Sequence, residues 1–163
     1  KVDVAKNKIK LINKNIIIKS YKIRVNKTNI GKLMKNFEIV CDGTDNFKTR
    51  LLVNDHALKQ KKILISAAVR GFDGHFFKFN FKKKTPCYRC FLPETPVQNN
   101  NCESEGVIPT VTGIMGTLQA NEVVNSILNF NSNMEKKMIV FNSIKMSFRT
   151  IHLSRNKNCS NKC

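Results

Sequence analysis

The sequence predicts an α/β protein built on a mostly parallel sheet, and three observations carry that prediction. Two short apolar runs, Phe37–Asp42 (FEIVCD) and Lys62–Val69 (KILISAAV), lack the alternation of a half-solvated strand and suit parallel strands covered on both faces. Between them, Asn46–Gln60 has a helical period, with Phe47, Leu51, Leu52 and Leu58 available to bury one face. The joining stretch, Asp42-Gly43-Thr44-Asp45-Asn46, sets two carboxylates and an amide at the carboxyl end of a strand. Ligands of open α/β sheets bind at that end.

The remaining elements follow in order. Val2–Ile12 is a lysine-rich helix, with Val4, Ile9, Leu11 and Ile12 available for burial. Ile16–Val25 (IIIKSYKIRV) is rich in β-branched residues and predicts a strand. Asn29–Asn36 fits a short helix, and Thr44 or Asp45 is placed to cap the helix that follows the first apolar run. His75–Phe81 (HFFKFNF) is aromatic and alternating, which predicts an antiparallel strand. Lys82–Tyr88 turns the chain through Pro86, and Glu94–Glu105 is a Pro- and Asn-rich loop long enough to carry function. Gly106–Phe130 reads as a helix with Pro109 in its first turn; Gly113 and Gly116 are costly there unless another backbone packs closely. Met138–Asn142 and Phe148–Leu153 close the chain as two strands. No repeat or composition break divides residues 1–163, so a single domain is expected.

Charge and polarity narrow the function. The net charge is +18, and residues 1–36 hold eleven Lys and Arg against one acid, Asp3. A zinc-stabilised basic module for nucleic acid is one reading of that excess. The lysines are interspersed, however, and no aromatics suited to base stacking accompany them, which favours a solvated basic surface. Val107–Phe130 contains no Lys or Arg, yet its threonines, Gln119, Asn121, Glu122 and Asn125 are too polar for the ~20 residues of a membrane span. No charged start leads into a clean apolar run, so six cysteines argue for thiol or metal chemistry in a reducing, cytoplasmic setting.

Cys87 and Cys90 form a CxxC pair, and Cys159 and Cys163 a CxxxC pair, with 68 residues between the pairs. Four such thiolates can hold a structural zinc and clamp the tail to the aromatic hairpin; free thiols or a redox pair are the alternatives. Cys102 stands alone in the long loop before a helix, where a thiolate gains nucleophilicity, although Glu103 and Glu105 oppose its ionisation. Cys41 lies inside an apolar strand and is expected in the core. Asp45 is a candidate Mg²⁺ ligand as well as a helix cap. His56, His75 and His152 have no ligand-like spacing and read as surface or hairpin residues.

Taken together, these stretches resemble the ThiF/MoeB adenylyltransferases, relatives of the ubiquitin-activating enzymes. The resemblance rests on Asp42-Gly-Thr-Asp45-Asn46 with Arg50, Ser66-Ala-Ala, Gly71-Phe-Asp-Gly74, Pro86-Cys-Tyr-Arg-Cys90, Cys102-Glu-Ser-Glu-Gly106-Val, and Gly113-Ile-Met-Gly116-Thr-Leu-Gln119-Ala-Asn-Glu122. It implies a Rossmann-like nucleotide-binding fold with a C-terminal antiparallel extension. The implied reaction is ATP-dependent adenylylation of the C-terminal glycine of a ThiS- or MoaD-like sulfur carrier ending in Gly-Gly. Asp45 would then hold Mg²⁺, Asn46 would position the nucleotide and Lys1 would contact phosphate. Cys102 would act in sulfur transfer with a donor protein, and Cys87, Cys90, Cys159 and Cys163 would bind Zn²⁺. The resemblance also implies a homodimer, and Met115–Ala120 (MGTLQA) leans toward the thiamine branch over the molybdenum-cofactor branch.

Two departures accompany it. The family's second cysteine pair is usually CxxC. The family's first βαβ unit, with its Gly-rich nucleotide loop, has no counterpart, since no GxGxxG occurs in the chain. The expectation is a sheet with an open apolar edge, and either a chain inactive alone or a non-catalytic scaffold of the same fold.

Overall fold

The computed structural model describes residues 1–93 and 106–163. Its elements are α1 (Val2–Ile12), α2 (Ile30–Met34), β1 (Ile39–Asp42), α3 (Phe47–Lys59), β2 (Ile63–Arg70), β3 (Asp73–Asn80), α4 (Tyr88–Phe91), α5 (Pro109–Ile127), β4 (Lys137–Asn142) and β5 (Ser147–His152). One five-stranded sheet runs in the order β1-β2-β3-β4-β5. β1 and β2 pair in parallel across the α3 crossover, from Ile39 opposite Ile63 to Asp42 opposite Ser66. The other three pairings are antiparallel.

The sheet is therefore mixed rather than mostly parallel, for two local reasons. Gly71, at φ 55°, and Phe72 turn β2 directly back into β3, leaving no room for a crossover helix. The strand expected over Ile16–Val25 does not form: Ile17, Tyr21 and Ile23 are exposed on a chain segment without ladder partners. A strand exists only through pairing, and β-branched composition alone does not supply a neighbour. β1 consequently pairs with β2 alone among the described residues, and its other edge is open.

Both faces of the sheet are covered where the apolar runs demand it. Leu64, Phe77, Phe79 and Phe81 pack beneath α2, α3 and the α4 turn, with Ile30, Leu51, Ala57 and Tyr88. Ile65, Ala67, Phe76 and Phe141 pack under α5 against Val111 and Met115. Alternate residues of β2 thus enter different cores, which is why its sequence is continuously apolar. Gly74 admits α5 to the sheet, since a Cβ there would lie 2.7 Å from Met115 Cγ. Nothing approaches the Cβ positions of Gly113 or Gly116 within 4 Å, so no backbone among the described residues explains those two glycines.

Two helices differ from their sequence pattern. The buried residues of α3 are Arg50, Leu51, Val53, Asn54 and Ala57, so its inner stripe is part polar, and Leu52 and Leu58 are only half-buried. α1 buries no side chain at all. No helix among the described residues is long and apolar enough to cross a membrane.

Candidate functional site

The carboxyl end of β1 is organised by Asp42, which the sequence motif leaves without a role. Its side chain is buried at 2% exposure. Oδ1 accepts the Thr44 N–H at 3.0 Å, and Oδ2 accepts the Ser66 hydroxyl at 2.9 Å. The Arg50 Nε lies 3.6 Å from the same Oδ2. The Asp42 carbonyl accepts from Gln119 Nε2 at 2.9 Å, and that nitrogen also donates to the Ile65 carbonyl at 3.1 Å. Four stretches separated in sequence therefore converge on one carboxylate and its backbone, and together they fix the turn that follows.

That turn presents Asp45 and Asn46 at the surface. Asn46, not Thr44 or Asp45, caps α3: its Oδ1 accepts the Thr49 N–H at 2.8 Å. The Asn46 amide nitrogen donates to Asp45 Oδ1 at 3.2 Å. The asparagine thus carries the capping duty, and the Asp45 carboxylate stays exposed. Mg²⁺ is usually held by one or two carboxylates completed by phosphate and water oxygens, and this donor fits that set. The Thr44 hydroxyl in the same turn is buried without a hydrogen-bond partner among the described residues. Lys1 is the N-cap residue of α1 without a side-chain capping hydrogen bond, and no hydrogen bond or ion pair joins it to Asp45 or Asn46 among the described residues.

Along the open edge of β1 runs a groove of about 470 Å³, which ends at Asp42, Gly43 and Thr44. Val25, Ile30, Leu33, Phe37 and Val40 make its walls mainly apolar. Cys41 also lines it and is exposed, contrary to the core position expected from its apolar strand. An edge strand offers one side chain in two to each face, and Cys41 falls where no element covers β1 among the described residues.

The four paired cysteines come together. The Sγ atoms of Cys87, Cys90, Cys159 and Cys163 all lie within 4.8 Å of one another. Cys87 is 3.6 Å from Cys159, Cys90 is 3.2 Å from Cys163, and Cys163 is 3.8 Å from Cys159. A tetrahedral zinc with Zn–S near 2.3 Å sets its sulfurs ~3.8 Å apart, so the donor set fits. The extra residue of the CxxxC pair is absorbed by Lys162, whose φ of 48° folds the tail back, with its N–H on the Cys159 carbonyl at 2.9 Å.

Burial pushes the Cys87 thiol up, and the neighbouring sulfurs add to the effect. Burial likewise raises Cys163, to about 11. Burial acts the same way on Cys90 but is outweighed by hydrogen bonds from the backbone at Asn156 and Cys87 and from its thiol neighbours, so Cys90 is lowered. A dication removes such protons from ligating thiols.

α3 holds this knuckle from the side. Asn54 Oδ1 accepts the Tyr88 N–H at 2.9 Å. Arg89 forks onto Asp55 at 2.8 and 2.7 Å, and Asn161 donates to the same carboxylate at 2.7 Å. Partial burial works to raise Asp55, but the hydrogen bonds from Arg89, Asn161 and Asn54 prevail and hold it below the usual carboxylate range. Cys102 falls outside the described residues. Of the histidines, His56 binds its own helix at the Leu52 carbonyl, His152 is exposed on β5, and His75 is half-buried on β3.

A five-stranded mixed sheet with an acidic turn at the end of β1 and a four-cysteine knuckle able to hold a metal ion defines an α/β fold with a cysteine-clustered appendage. Residues 1–161 match the ThiF family, and the chain belongs to that family. It is 35% identical over 160 residues to a probable molybdopterin-synthase adenylyltransferase of Pyropia yezoensis, covering 96% of this chain and 42% of the relative. It is 32% identical to the adenylyltransferase and sulfurtransferase MOCS3 of Culex quinquefasciatus, covering 96% and 36%. A sulfur carrier protein adenylyltransferase of Thermus thermophilus is 28% identical, with 96% and 60% covered. The chain thus spans about two-fifths to three-fifths of these relatives. Among solved structures, E. coli MccB superposes with a TM-score of 0.81 at 16% identity, over 99% of this chain and 49% of MccB. That likeness concerns the fold.

Proposed function

We propose that this chain supplies one half of the site of an ATP-dependent adenylyltransferase acting on the C-terminal glycine of a ubiquitin-like sulfur carrier. The observation that supports it most is the Asp42–Asn46 turn, braced by Ser66, Arg50 and Gln119 inside a stretch that matches the ThiF family. In this reading Asp45 holds Mg²⁺, which would neutralise charge on the phosphates, and Asn46 orients the nucleotide while capping α3. The carrier carboxylate attacks the α-phosphate, the acyl-adenylate forms and pyrophosphate leaves. Lys1 would meet the phosphates if α1 settles against the turn. Cys102 takes the later role, in sulfur transfer from a donor protein.

Among the described residues no Gly-rich loop faces the turn from the open edge of β1 or its groove, which supports the proposal that the 163 residues are inactive by themselves. Zn²⁺ is proposed to occupy the four-cysteine knuckle. Exposed Val124, Ile127, Leu128 and Phe130 at the end of α5 support self-association. The carrier is of the ThiS or MoaD type. The relatives named for molybdopterin and MOCS3 favour the molybdenum branch over the thiamine branch suggested by Met115–Ala120.

ATP–pyrophosphate exchange by the full-length protein, with each carrier type in turn, tests the reading. Asp45→Ala should lower exchange ~100-fold or more, the scale of losing one key electrostatic contact, with zinc content unchanged. Unchanged exchange in that variant would leave a scaffold. Cys102→Ala should spare exchange and impair sulfur transfer, and equal loss of both steps would overturn the division of labour. Robust exchange by residues 1–163 alone would refute the half-site.

A further inference from the structure

We propose that Tyr88 is a positioning residue that couples the four-cysteine knuckle to the turn carrying Asp45. The coupling runs through Arg50. It rests on the function proposed above for the zinc that draws the thiols together and for the consequence for nucleotide; the mechanical link stands on contacts within the chain.

Tyr88 sits between two of the thiols, Cys87 and Cys90, and has almost no freedom of its own. It is 3% exposed, its N–H is fixed by Asn54, and its ring lies 5.1 Å from that of Phe77 and 4.8 Å from that of Phe91. The phenol oxygen accepts from Arg50 Nη1 at 3.4 Å, and the guanidinium carbon stands 5.9 Å from the Tyr88 ring centroid. Arg50 is itself buried, and its Nη2 donates to the Thr44 carbonyl. Its Nε faces the Asp42 carboxylate, which accepts the Thr44 N–H. One guanidinium therefore spans from the knuckle to both ends of the turn, in a medium where an unmet donor is costly.

The coupling follows from these contacts. While the thiols are drawn together, Tyr88 is held in register and offers Arg50 an oxygen and a ring face. When they separate, Tyr88 moves with its flanking cysteines, and Arg50 loses its partner on that side. The turn then rests on a guanidinium that no longer has a fixed position. The Thr44 N–H is the reporter, because it is bonded to Asp42 within the turn. Loss of a hydrogen bond to a charged group corresponds to about tenfold or greater loss of protection.

The test is amide exchange on the full-length protein, read at Thr44 and at the knuckle, with zinc content measured in each sample. Tyr88→Phe keeps the ring and the N–H but removes the phenol oxygen. It should speed exchange at Thr44 about tenfold with zinc retained. Chelation should speed Thr44 exchange in the wild type and add less in the variant. Unchanged protection at Thr44 in zinc-loaded Tyr88→Phe would overturn the proposal. So would a wild type in which chelation affects only residues 87–91 and 159–163. Should Tyr88→Phe lose zinc, Arg50→Lys decides instead: it leaves the knuckle intact, cannot span Tyr88 and Thr44 together, and must give the same loss at Thr44. Mg-ATP binding measured in parallel separates the two claims. Coupled exchange without any Mg-ATP binding would retain the link and refute the nucleotide reading. Mg-ATP binding with uncoupled exchange would do the reverse.

Discussion

Removing either member of the Lys78–Glu122 pair should destabilise the protein severely, and replacing both should restore most of the loss. Lys78 Nζ donates to Glu122 Oε1 at 2.7 Å between β3 and α5, with the two residues 5% and 3% exposed. The Ser132 hydroxyl donates to the same oxygen at 2.6 Å, and Asn125 Nδ2 donates to Oε2 at 3.3 Å. Among the described residues the carboxylate thus has three donors, of which only Lys78 carries charge. Lys78→Met strands an anion at a helix–sheet interface, a loss of about 3–5 kcal/mol. Glu122→Leu leaves a buried ammonium without its counter-charge and should fall near the lower end of that range.

The double variant Lys78→Met/Glu122→Leu puts apolar side chains where the pair was. Such exchanges are often neutral or better, but here Ser132 and Asn125 lose their acceptor, at ~1 kcal/mol each. The double variant should therefore lie within about 2 kcal/mol of the wild type, with a coupling energy of at least ~4 kcal/mol, far beyond the ~0.5 kcal/mol of independent sites. Urea unfolding with a shared slope measures all four corners of the cycle. Single losses below about 1 kcal/mol that simply add would show that water reaches the pair, and the reasoning would fail.

Three further outcomes are expected. Asn46→Ala should cost ~1 kcal/mol by uncapping α3, while Asn46→Asp should keep the cap; equal losses by urea unfolding would mean the cap contributes little. Lys162→Gly should relieve the left-handed residue of the CxxxC turn, so that stripping zinc needs more chelator; easier stripping would contradict the turn described. Burial holds the His75 imidazole below its usual range, Asp73 opposing and Arg50 and Arg149 assisting. Below about pH 6.5 the unfolded chain then takes up more protons than the folded one, so this share of stability is complete above that pH and is lost as pH falls. His75→Gln should flatten the fall in urea midpoint between pH 7.5 and 5.5, and an unchanged slope would remove His75 from the account.

Local features were readable from the sequence, and features made by distant partners were not. Lys62–Val69 announced a doubly covered strand because both of its faces are apolar, and β2 occupies that place. The cysteine spacings announced a knuckle, which the four Sγ atoms form. Ile16–Val25 misled because β propensity describes a residue's fit to a sheet and not the presence of a neighbour. Cys41 misled because the apolar run Phe37–Asp42 does not say which edge of the sheet is open. The role of Asp42 was out of reach, since its partners lie as far as 77 residues away at Gln119. A buried acid flanked by motif residues Ser66 and Arg50 was the available signal.

α3 shows why its pattern concealed its use. A helix whose inward stripe is only apolar has one task, to cover the sheet. Here Arg50 and Asn54 occupy that stripe together with Leu51, Val53 and Ala57. Arg50 reaches forward to the turn after β1, while Asn54 and the adjacent Asp55 reach sideways to Tyr88 and Arg89. Asn46 closes the helix at its first turn and leaves Asp45 exposed. The polar positions that weaken amphipathicity are the same ones that make α3 a rigid spacer between the acidic turn and the cysteine knuckle. Burying polar groups is costly unless they are met: Arg50 Nη1 and Nη2 and the Asn54 amide oxygen are met by groups of those two sites, and Arg50 Nε faces the Asp42 carboxylate at 3.6 Å without a hydrogen bond among the described residues. Substitution toward a purely apolar stripe would leave the sheet covered but would free the turn and the knuckle from each other, which is why the polar stripe belongs to the site and not to the core.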